Sequence, residues 1–381
     1  MKRILFTAPS LTVGGMEKAL ITLANRLCES GYSVTVMILD DITELGDTLD
    51  DRALLLHRPY KSHPGSRIPY IRHKLYDDGM WETRAGAEKL YQYYTDGEKY
   101  DVEIAFFRGL SVKIISGSTN KDAVHLAWVH SDFRQAKGYM NNFRDIKEVN
   151  RAYSRFDRVV CVSEQARQGF IETVGDTGNT LTVYNMLPAA EIRELSQKPA
   201  ERSIRRAKLH LVIVARLLDR VKGQLRLISA VAKLRKEGES ISLCIVGGGS
   251  DRDLLQKEIA SKNAGSYIEL VGEKKNPYPY IKEADALVCA SYWEGYSLTV
   301  AEALILETPV ISTDCAGPAE ILDHGKYGMI TENSDEALYE GIKRFCREPG
   351  LIDKYREKAR ERQSFFDEDK TFRQITNLFE G

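Results

Sequence analysis

Short apolar runs alternate with segments of helical spacing in both halves of the chain, and this alternation limits the possible folds most narrowly. The first series of runs begins at residues 4–7, and a second series restarts at residues 209–214. Between the first runs, residues 15–30 place apolar side chains three or four positions apart, as one face of an α-helix requires. Repeated strand–helix–strand units predict parallel sheets with helices on both faces, an α/β fold.

A proline-containing, charged segment separates the two series. Residues 185–208 contain Pro188, Pro199 and the basic run 201–206, which is typical of a solvated linker. A chain of 381 residues also exceeds the size of one ordinary core. We therefore predict two domains, residues 1–187 and 188–365, leaving residues 366–381 as a final segment.

The bulk composition excludes several classes of function. The net charge of −1 gives no indication of a nucleic-acid partner. No run of 18 apolar residues is present, so no membrane-spanning helix is predicted. The six cysteines form no C-x-x-C pair, which favours reduced, buried thiols in a cytoplasmic protein.

Two carboxylates eight positions apart, Glu294 and Glu302, carry the strongest functional signal. They lie between the apolar runs 286–289 and 309–313, in a strand–loop–helix–strand pattern. Open α/β sheets bind ligands at the carboxyl ends of their strands, and helix-start amides suit a phosphate. The pattern predicts a sugar–phosphate–ribose ligand, and the candidate residues at the predicted helix start are Gly295, Tyr296, Ser297 and Leu298.

This spacing resembles the E-x7-E motif of the large retaining glycosyltransferase family of GT-B fold (glycosyl transferases group 1, glycosyltransferase family 4). The resemblance implies two Rossmann-like domains facing across a cleft, with a helix near residues 369–379 crossing back to the first domain. It implies transfer of a hexose or N-acetylhexosamine from a nucleoside-diphosphate sugar, with retention of configuration at the anomeric carbon. In this family Glu294 would hold sugar hydroxyls and Glu302 the ribose diol.

Two cations follow the first strand of the second series. Arg216 offers a fork of donors and Lys222 a compact charge, so together they can neutralise a diphosphate. The resembled family has arginine and lysine at this spacing in that role, although Ala215 stands where its glycine is usual. We interpret the intervening Arg220 as surface charge.

Other segments match the resembled family at strand ends. Gly14 and Gly15 form either a tight turn or a place where backbone approaches the donor phosphates and the acceptor. His130 matches the histidine that contacts the donor sugar. Gly272 and Glu273 match the segment whose backbone contacts the nucleobase, for which uridine is the default expectation.

No cofactor and no metal ion are expected. The glycines at 247–249 lack the G-K-[ST] sequence of a P-loop. Asp251 and Asp253 form a D-x-D sequence, but it begins a predicted helix, so we favour helix capping over metal binding. The pair of cations and the absence of an acidic metal cluster in the sequence favour metal-independent chemistry. The resemblance implies that a leaving phosphate oxygen acts as the base.

The acceptor is expected to be a saccharide or a lipid-linked saccharide in cell-surface polysaccharide or glycoconjugate synthesis. Residues 52–74 combine basic, aromatic and aliphatic side chains. They form either a solvated loop or a surface that meets an anionic membrane, which would make the protein peripheral at the inner membrane face.

Two alternative functions stay open at this point. One is a nucleotide-sugar epimerase or a phosphorylase of the same fold. The other is a catalytically silent GT-B subunit that binds a partner enzyme. The presence of all five side chains of the matched site argues against a silent copy; they are His130, Arg216, Lys222, Glu294 and Glu302.

Overall fold

The computed structural model describes residues 1–40, 42–58, 83–201 and 207–380. The chain divides into unit 1, residues 1–186 together with 369–381, and unit 2, residues 187–368. Most of the basic segment at 52–74 and residues 202–206 of the predicted linker lie outside the described residues. The two units are described separately below.

Unit 1 is built on a parallel sheet that contains seven strands within the described ranges. The strand order is β3-β2-β1-β4-β5-β6-β7, so the order reverses direction between β1 and β4. These strands are β1 (Arg3–Ala8), β2 (Ser33–Ile38), β3 (Leu54–His57), β4 (Val102–Ala105), β5 (Val124–Val129), β6 (Arg158–Cys161) and β7 (Thr180–Thr182).

Helices connect these strands. In chain order they are α1 (Gly15–Glu29), α2 (Ala87–Thr95), α3 (Leu110–Ile115), α4 (Ile146–Tyr153) and α5 (Glu164–Val174). Side-chain caps begin two of them, because Asp145 and Ser163 each accept a hydrogen bond from a backbone N–H of the first turn.

Unit 2 repeats the plan with six parallel strands in the described part of the chain. Its strand order is β10-β9-β8-β11-β12-β13, which reverses between β8 and β11. The strands are β8 (Leu209–Val214), β9 (Ile241–Val246), β10 (Ile268–Gly272), β11 (Ala286–Cys289), β12 (Val310–Thr313) and β13 (Met329–Thr331).

The helices of unit 2 cover this sheet. They are α6 (Ala189–Leu195), α7 (Asp219–Lys222), α8 (Gln224–Lys236), α9 (Arg252–Ser261), α10 (Tyr278–Glu283), α11 (Leu298–Ile305), α12 (Ala316–Ile321), α13 (Asp335–Arg347) and α14 (Leu351–Glu361). In the described part of the chain, no helix has both the length and the apolar character needed to cross a membrane.

The final helix, α15 (Glu368–Asn377), returns to unit 1 as predicted. Arg26 of α1 pairs with Asp369 at 2.8 Å and lies over the ring of Phe372. Beyond the helix, the rings of Phe379 and Tyr32 meet edge to face at a centroid distance of 5.9 Å. The C-terminal segment is therefore anchored on α1 and on the turn after it.

The central strands are largely apolar because both faces of each sheet are covered. All residues of β9 and of β11 are buried, and all six cysteines are free thiols, five of them buried. The predicted α/β class and the two parallel sheets are confirmed. Three short edge strands, β3, β7 and β13, were not predicted. β3 corrects the interpretation of residues 54–57 as part of a solvated loop.

The strand orders fix where ligands approach. In an open parallel sheet, the loops at the carboxyl ends of two strands diverge where the order reverses and leave a crevice between them. In unit 1 these are the loops after β1 and β4, and in unit 2 those after β8 and β11. Most of the predicted site residues follow one of these strands.

Candidate functional site

Lys222 and Glu294 meet at the crevice of unit 2. Lys222 ends α7, which follows β8, and Glu294 lies in the loop after β11. The lysine Nζ lies 2.6 Å from Oε1 of Glu294, and the Ser291 hydroxyl donates to the same oxygen at 2.7 Å. The two side chains are 24% and 12% exposed, so both are partly accessible to solvent.

The charge of Lys222 is stabilised by this contact. Burial lowers the pKa of Lys222, but the charge and the hydrogen bond of Glu294 outweigh it and raise the pKa above the ordinary value for lysine. Lys222 is therefore protonated at neutral pH. A bound anion would meet a fixed positive charge at this point of the crevice.

A glycine allows the loop after β11 to approach α8. Gly223 has a φ of 63°, and a Cβ there would lie 2.1 Å from the carbonyl oxygen of Ala290. Only glycine fits such an approach in the left-handed region. This glycine separates α7 from α8, so α8 begins at Gln224 and Lys222 belongs to the short helix before it.

Arg226 of α8 anchors the loop after β11 through hydrogen bonds. Its guanidinium donates to the carbonyl oxygens of Ala290 and Ser291, the latter at 2.7 Å. Another N–H donates to Oδ1 of Asn333 at 2.8 Å, and the guanidinium lies over the ring of Tyr292. This arginine, only 1% exposed in its side chain, fixes the backbone that carries the Glu294 contact.

Two further residues, Thr313 and Asn333, make hydrogen bonds to the same loop. The Thr313 hydroxyl donates to the Ser291 carbonyl at 2.6 Å, and the Asn333 amide donates to the Tyr292 carbonyl at 2.8 Å. The loop is therefore tied to β12 and to the turn after β13 as well as to α8. Arg226, Thr313 and Asn333 were not identified from the sequence.

Arg216 is exposed at the end of β8, near Lys222. Its charge opposes the protonation of Lys222, and its carbonyl accepts a hydrogen bond from the Gln224 amide at 2.8 Å. The neighbouring glycine run contacts this loop, because the Leu217 N–H donates to the Gly248 carbonyl at 2.7 Å. The run at 247–249 therefore packs on the Arg216 loop.

The Asp251 carboxylate caps a different helix from the one predicted. Asp251 precedes α9, yet its side chain accepts no hydrogen bond from that helix, so the prediction of a cap on its own helix is wrong. Its Oδ2 instead accepts the backbone N–H of Asp219, the first residue of α7, at 2.8 Å. Within the described residues, no cluster of three or more His, Cys, Asp or Glu side chains could hold a metal ion.

Glu302 lies inside unit 2, on α11, with 4% of its surface exposed. The hydroxyl of Tyr278, on α10, makes a hydrogen bond with its carboxylate. Burial, followed by the charge of Glu302, raises the pKa of Tyr278, so the phenol stays protonated and orients the carboxylate. Tyr278 was missed in the sequence, although it follows the predicted nucleobase segment by only a few positions.

The glycine-containing start of α11 packs closely on α12. Gly295, Tyr296 and Ser297 are buried, and the helix begins at Leu298 with Ser297 at the N-cap position. A Cβ on Gly317 would lie 2.5 Å from the Cα of Tyr296, so α12 approaches this backbone through a glycine. The loop between Glu294 and the helix is therefore fixed by packing.

The predicted nucleobase segment ends β10. Gly272 has a φ of 80°, and its carbonyl accepts the backbone N–H of Gly247 at 2.9 Å. Glu273 is exposed and its side chain lies beside Gly248. These contacts place the segment next to the loops that carry Arg216, at the same edge of the sheet.

A cavity of about 360 Å³ lies at the carboxyl edge of the unit 1 sheet. Met16 and Glu17, directly after Gly14 and Gly15, line one side, and His130 lines another. Gly14 is the N-cap of α1 with extended backbone, which any residue adopts, so this glycine is not required by its φ. The glycine pair thus begins α1 at the cavity.

His130 stays neutral in this cavity. Burial lowers its pKa to about 3, a hydrogen bond with the Phe106 backbone opposes the shift, and the charge of Arg108 lowers the pKa further. Its Nε2 is buried without a hydrogen-bond partner in the described part of the chain. Because the ring's other nitrogen donates to the backbone, Nε2 is an acceptor, suited to a ligand hydroxyl.

Arg108 and Ser111 also line the cavity and were not identified from the sequence. They follow β4, the strand on the far side of the reversal from β1. Arg108 donates to the Ser131 hydroxyl at 3.0 Å, and burial lowers its pKa. The available signal was a cation shortly after a predicted strand, which is also where Arg216 lies.

Two family models match the chain. The model described as Glycosyl transferases group 1 matches residues 196–362, and the one described as Glycosyltransferase Family 4 matches residues 13–189. Together they span almost the whole chain, one on each unit.

Curated proteins are similar over part of their length. An uncharacterized glycosyltransferase of Methanocaldococcus jannaschii is 31% identical over 47% of this chain and 49% of its own length. The N-acetylgalactosamine-N,N'-diacetylbacillosaminyl-diphospho-undecaprenol 4-alpha-N-acetylgalactosaminyltransferase of Campylobacter jejuni is 29% identical over 63% of this chain and 66% of its own. The chain thus spans about half of one relative and just under two thirds of the other.

A solved structure has the same fold over its full length. HepE of Anabaena, determined in complex with UDP and glucose, aligns over 100% of both chains with a TM-score of 0.74 and 18% identity. At this identity the likeness shows the fold.

Proposed function

We propose that this chain, which belongs to the GT-B glycosyltransferases of group 1 and family 4, transfers a hexose or N-acetylhexosamine from a nucleoside-diphosphate sugar. The observation that carries the proposal is the pairing of Lys222 with Glu294 where the strand order of unit 2 reverses. A fixed cation beside a carboxylate suits a ligand that joins a phosphate to sugar hydroxyls.

Different residues are proposed to bind different parts of the donor. Lys222 and Arg216 neutralise the diphosphate, and their charges stabilise the negative charge that develops as the bond to C1 breaks. Glu294 accepts sugar hydroxyls, and Glu302, oriented by Tyr278, accepts the ribose diol. The expectation of a uridine base is supported by the UDP in the HepE structure.

The transfer is proposed to retain the anomeric configuration and to need no metal ion, as in the resembled family. The acceptor hydroxyl attacks C1 on the face that the diphosphate leaves, and the leaving phosphate oxygen takes the hydroxyl proton. The two cations supply the charge that a metal would otherwise provide. Full activity in EDTA, with an α-linked product from an α-linked donor, is the expected result.

The proposed acceptor is a saccharide or a lipid-linked saccharide of cell-surface polysaccharide synthesis. The Campylobacter jejuni relative, whose name specifies a diphospho-undecaprenol-linked acceptor, supports this class. We propose a cytoplasmic protein that meets the membrane reversibly through the basic segment at 52–74. Binding to phosphatidylglycerol vesicles that weakens with salt is expected, and a protein that stays in solution at low salt would contradict the membrane contact.

The experiment screens nucleotide sugars for slow hydrolysis and for an increase in melting temperature. The donor found is then offered with saccharide acceptors to the wild type, to Lys222→Ala and to Lys257→Ala. Lys257 is an exposed lysine of α9 and serves as the matched control. Lys222→Ala is expected to cut turnover by about 100-fold, the range for losing one charge-stabilising donor, and Lys257→Ala to leave turnover unchanged.

Three outcomes would contradict the proposal. Equal loss in both lysine variants would remove Lys222 from the site. An epimerised donor in the absence of acceptor, or turnover that requires inorganic phosphate, would identify another reaction of the same fold. A protein that binds no nucleotide sugar would be a silent member of the family.

A further inference from the structure

Three side chains fix the backbone of Ser291 in the loop after β11. Its carbonyl oxygen accepts a hydrogen bond from Arg226 at 2.7 Å and one from Thr313 at 2.6 Å, and the Cys315 thiol donates to the same oxygen at 3.1 Å. Ser291 itself is buried. The proposed donor chemistry assigns no role to its hydroxyl, although that hydroxyl contacts Glu294.

The direction of the Ser291 hydroxyl follows from its neighbours. In the described part of the chain it has one acceptor, Oε1 of Glu294, at 2.7 Å. The Cys289 thiol donates to the hydroxyl oxygen from the end of β11, at 3.8 Å. Because a carboxylate paired with a lysine accepts hydrogen bonds and does not donate them, the hydroxyl hydrogen lies towards Glu294.

The same carboxylate oxygen accepts from a second group, the Lys222 ammonium at 2.6 Å. A ligand affects these two contacts differently. Lys222 is proposed to bind the diphosphate, so phosphate oxygens compete with Oε1 of Glu294 for its ammonium. Ser291 is neutral and buried, so its hydroxyl stays on Glu294. When the nucleotide sugar is bound, the serine is therefore the contact that continues to hold the carboxylate.

We propose that Ser291 is a positioning residue, whose hydroxyl keeps Glu294 in place when the diphosphate engages Lys222, so that Oε2 of Glu294 accepts a sugar hydroxyl. The inference rests on the proposed function, because it takes Lys222 and Glu294 as the groups that bind diphosphate and sugar. Among the described residues, Oε1 of Glu294 has two hydrogen bonds and Oε2 has none. A positioned carboxylate matters only for a ligand that carries the sugar, so the nucleoside diphosphate alone should not depend on Ser291.

The test compares the affinity of the full chain for a nucleotide sugar with its affinity for the matching nucleoside diphosphate. The probes are UDP-glucose, UDP-galactose, UDP-N-acetylglucosamine, UDP-N-acetylgalactosamine and GDP-mannose, together with UDP and GDP, and titration calorimetry measures their binding. Ser291→Ala is expected to weaken binding of the accepted nucleotide sugar by about 10-fold, the loss of one hydrogen bond to a charged group. Its affinity for the nucleoside diphosphate should equal that of the wild type. Turnover should fall by about 10- to 100-fold, and Ser291→Thr, which keeps the hydroxyl, should recover part of both losses.

Ser242→Ala is the matched control. Ser242 and Ser291 are both 3% exposed, and the Ser242 hydroxyl is hydrogen-bonded to Nδ1 of His210 at 2.8 Å. Ser242 is the second residue of β9, so it lies towards the amino edge of the sheet, opposite to the crevice. This variant should keep the wild-type affinities and turnover. Without ligand, the melting temperatures of the two alanine variants should be similar, because each loses one buried hydroxyl with one side-chain partner.

The other outcomes overturn the inference in distinguishable ways. Equal weakening of nucleotide-sugar and nucleoside-diphosphate binding in Ser291→Ala would show that the hydroxyl supports the whole site and not the sugar contact. Wild-type affinities and turnover in that variant would show that Glu294 needs no serine. A melting temperature far below that of Ser242→Ala, with an unchanged ratio of the two affinities, would make Ser291 structural. A wild type that binds none of the nucleotide sugars would refute the proposed function itself, and the inference with it.

Discussion

The contact between Arg226 and the loop after β11 makes a quantitative prediction about stability and activity. Arg226→Met keeps much of the side-chain volume but removes every donor. The Ala290 carbonyl then loses its charged partner inside the protein, whereas the Ser291 carbonyl keeps the Thr313 hydroxyl. A buried acceptor left unpaired costs about 1–3 kcal/mol, so the substitution should destabilise unit 2 by about 2 kcal/mol. In a domain of this size that corresponds to a fall of roughly 5 °C in melting temperature.

The same substitution should reduce turnover through a residue that the ligand does not touch. Ser291 donates to Glu294, so a shift of the Ser291 backbone displaces the carboxylate proposed to bind the donor sugar. A displacement of about 1 Å in a reacting group costs on the order of 100-fold in rate. We expect kcat to fall by about 10- to 100-fold, and Arg226→Lys, which keeps the charge but not the fork, to recover part of it.

The measurements are thermal unfolding and initial rates of donor turnover for Arg226→Met, Arg226→Lys and Arg235→Met. Arg235 lies on the same helix but is exposed and makes one long hydrogen bond of 3.4 Å to the Glu239 carbonyl. Its substitution should change stability by no more than about 0.5 kcal/mol. If Arg226→Met melts within the range of Arg235→Met and turns over like the wild type, the loop is held by its other contacts and the reasoning is wrong.

Two further predictions concern single groups. Glu302→Gln should weaken binding of a ribonucleotide, whereas a 2′,3′-dideoxynucleotide should bind wild type and variant equally; titration calorimetry distinguishes the two, and equal loss for both ligands would exclude the ribose role. His130 has its pKa lowered to about 3 in the folded chain, so between the unfolded value of 6.5 and that pH the unfolded chain binds a proton that the folded one does not. The free energy of unfolding should therefore fall as the pH decreases from 6.5 towards 3, and it should fall less in His130→Gln. An equal change in melting temperature between pH 7 and pH 5 in the wild type and the variant would contradict this.

Much of the architecture follows from the chain's apolar periodicity. Strands β8 and β11 begin and end at the predicted residues because each is an apolar run, interrupted in β8 only by His210. The edge strands β7 and β13, with three residues each, are too short for any period to be read. Their pairing with β6 and β12 is a tertiary effect, so it becomes visible only in the folded sheet.

The residues of the candidate site likewise differ in whether local sequence or only the folded structure reveals them. Lys222 and Glu294 were predicted because charged residues follow apolar runs along the chain, and His130 was predicted from the family resemblance. Asp251 shows the limit of such local reasoning. It stands at the start of its helix as predicted, but its carboxylate reaches the backbone of Asp219 across the loop after β8. Local sequence assigns a capping residue to the helix that follows it in the chain. In the folded protein, the N-terminus of another helix can lie closer to its side chain.

Arg226 shows why a supporting residue is harder to predict than the residues proposed to bind the ligand. In the sequence Arg226 belongs to an ordinary amphipathic helix, where an arginine is expected in solvent. It is buried because Gly223 lets the carbonyl of Ala290 approach α8, a contact between residues 67 positions apart in sequence. Arg226 becomes informative only when its partners in the fold are known, and its substitution then tests both the stability of unit 2 and the position of Glu294.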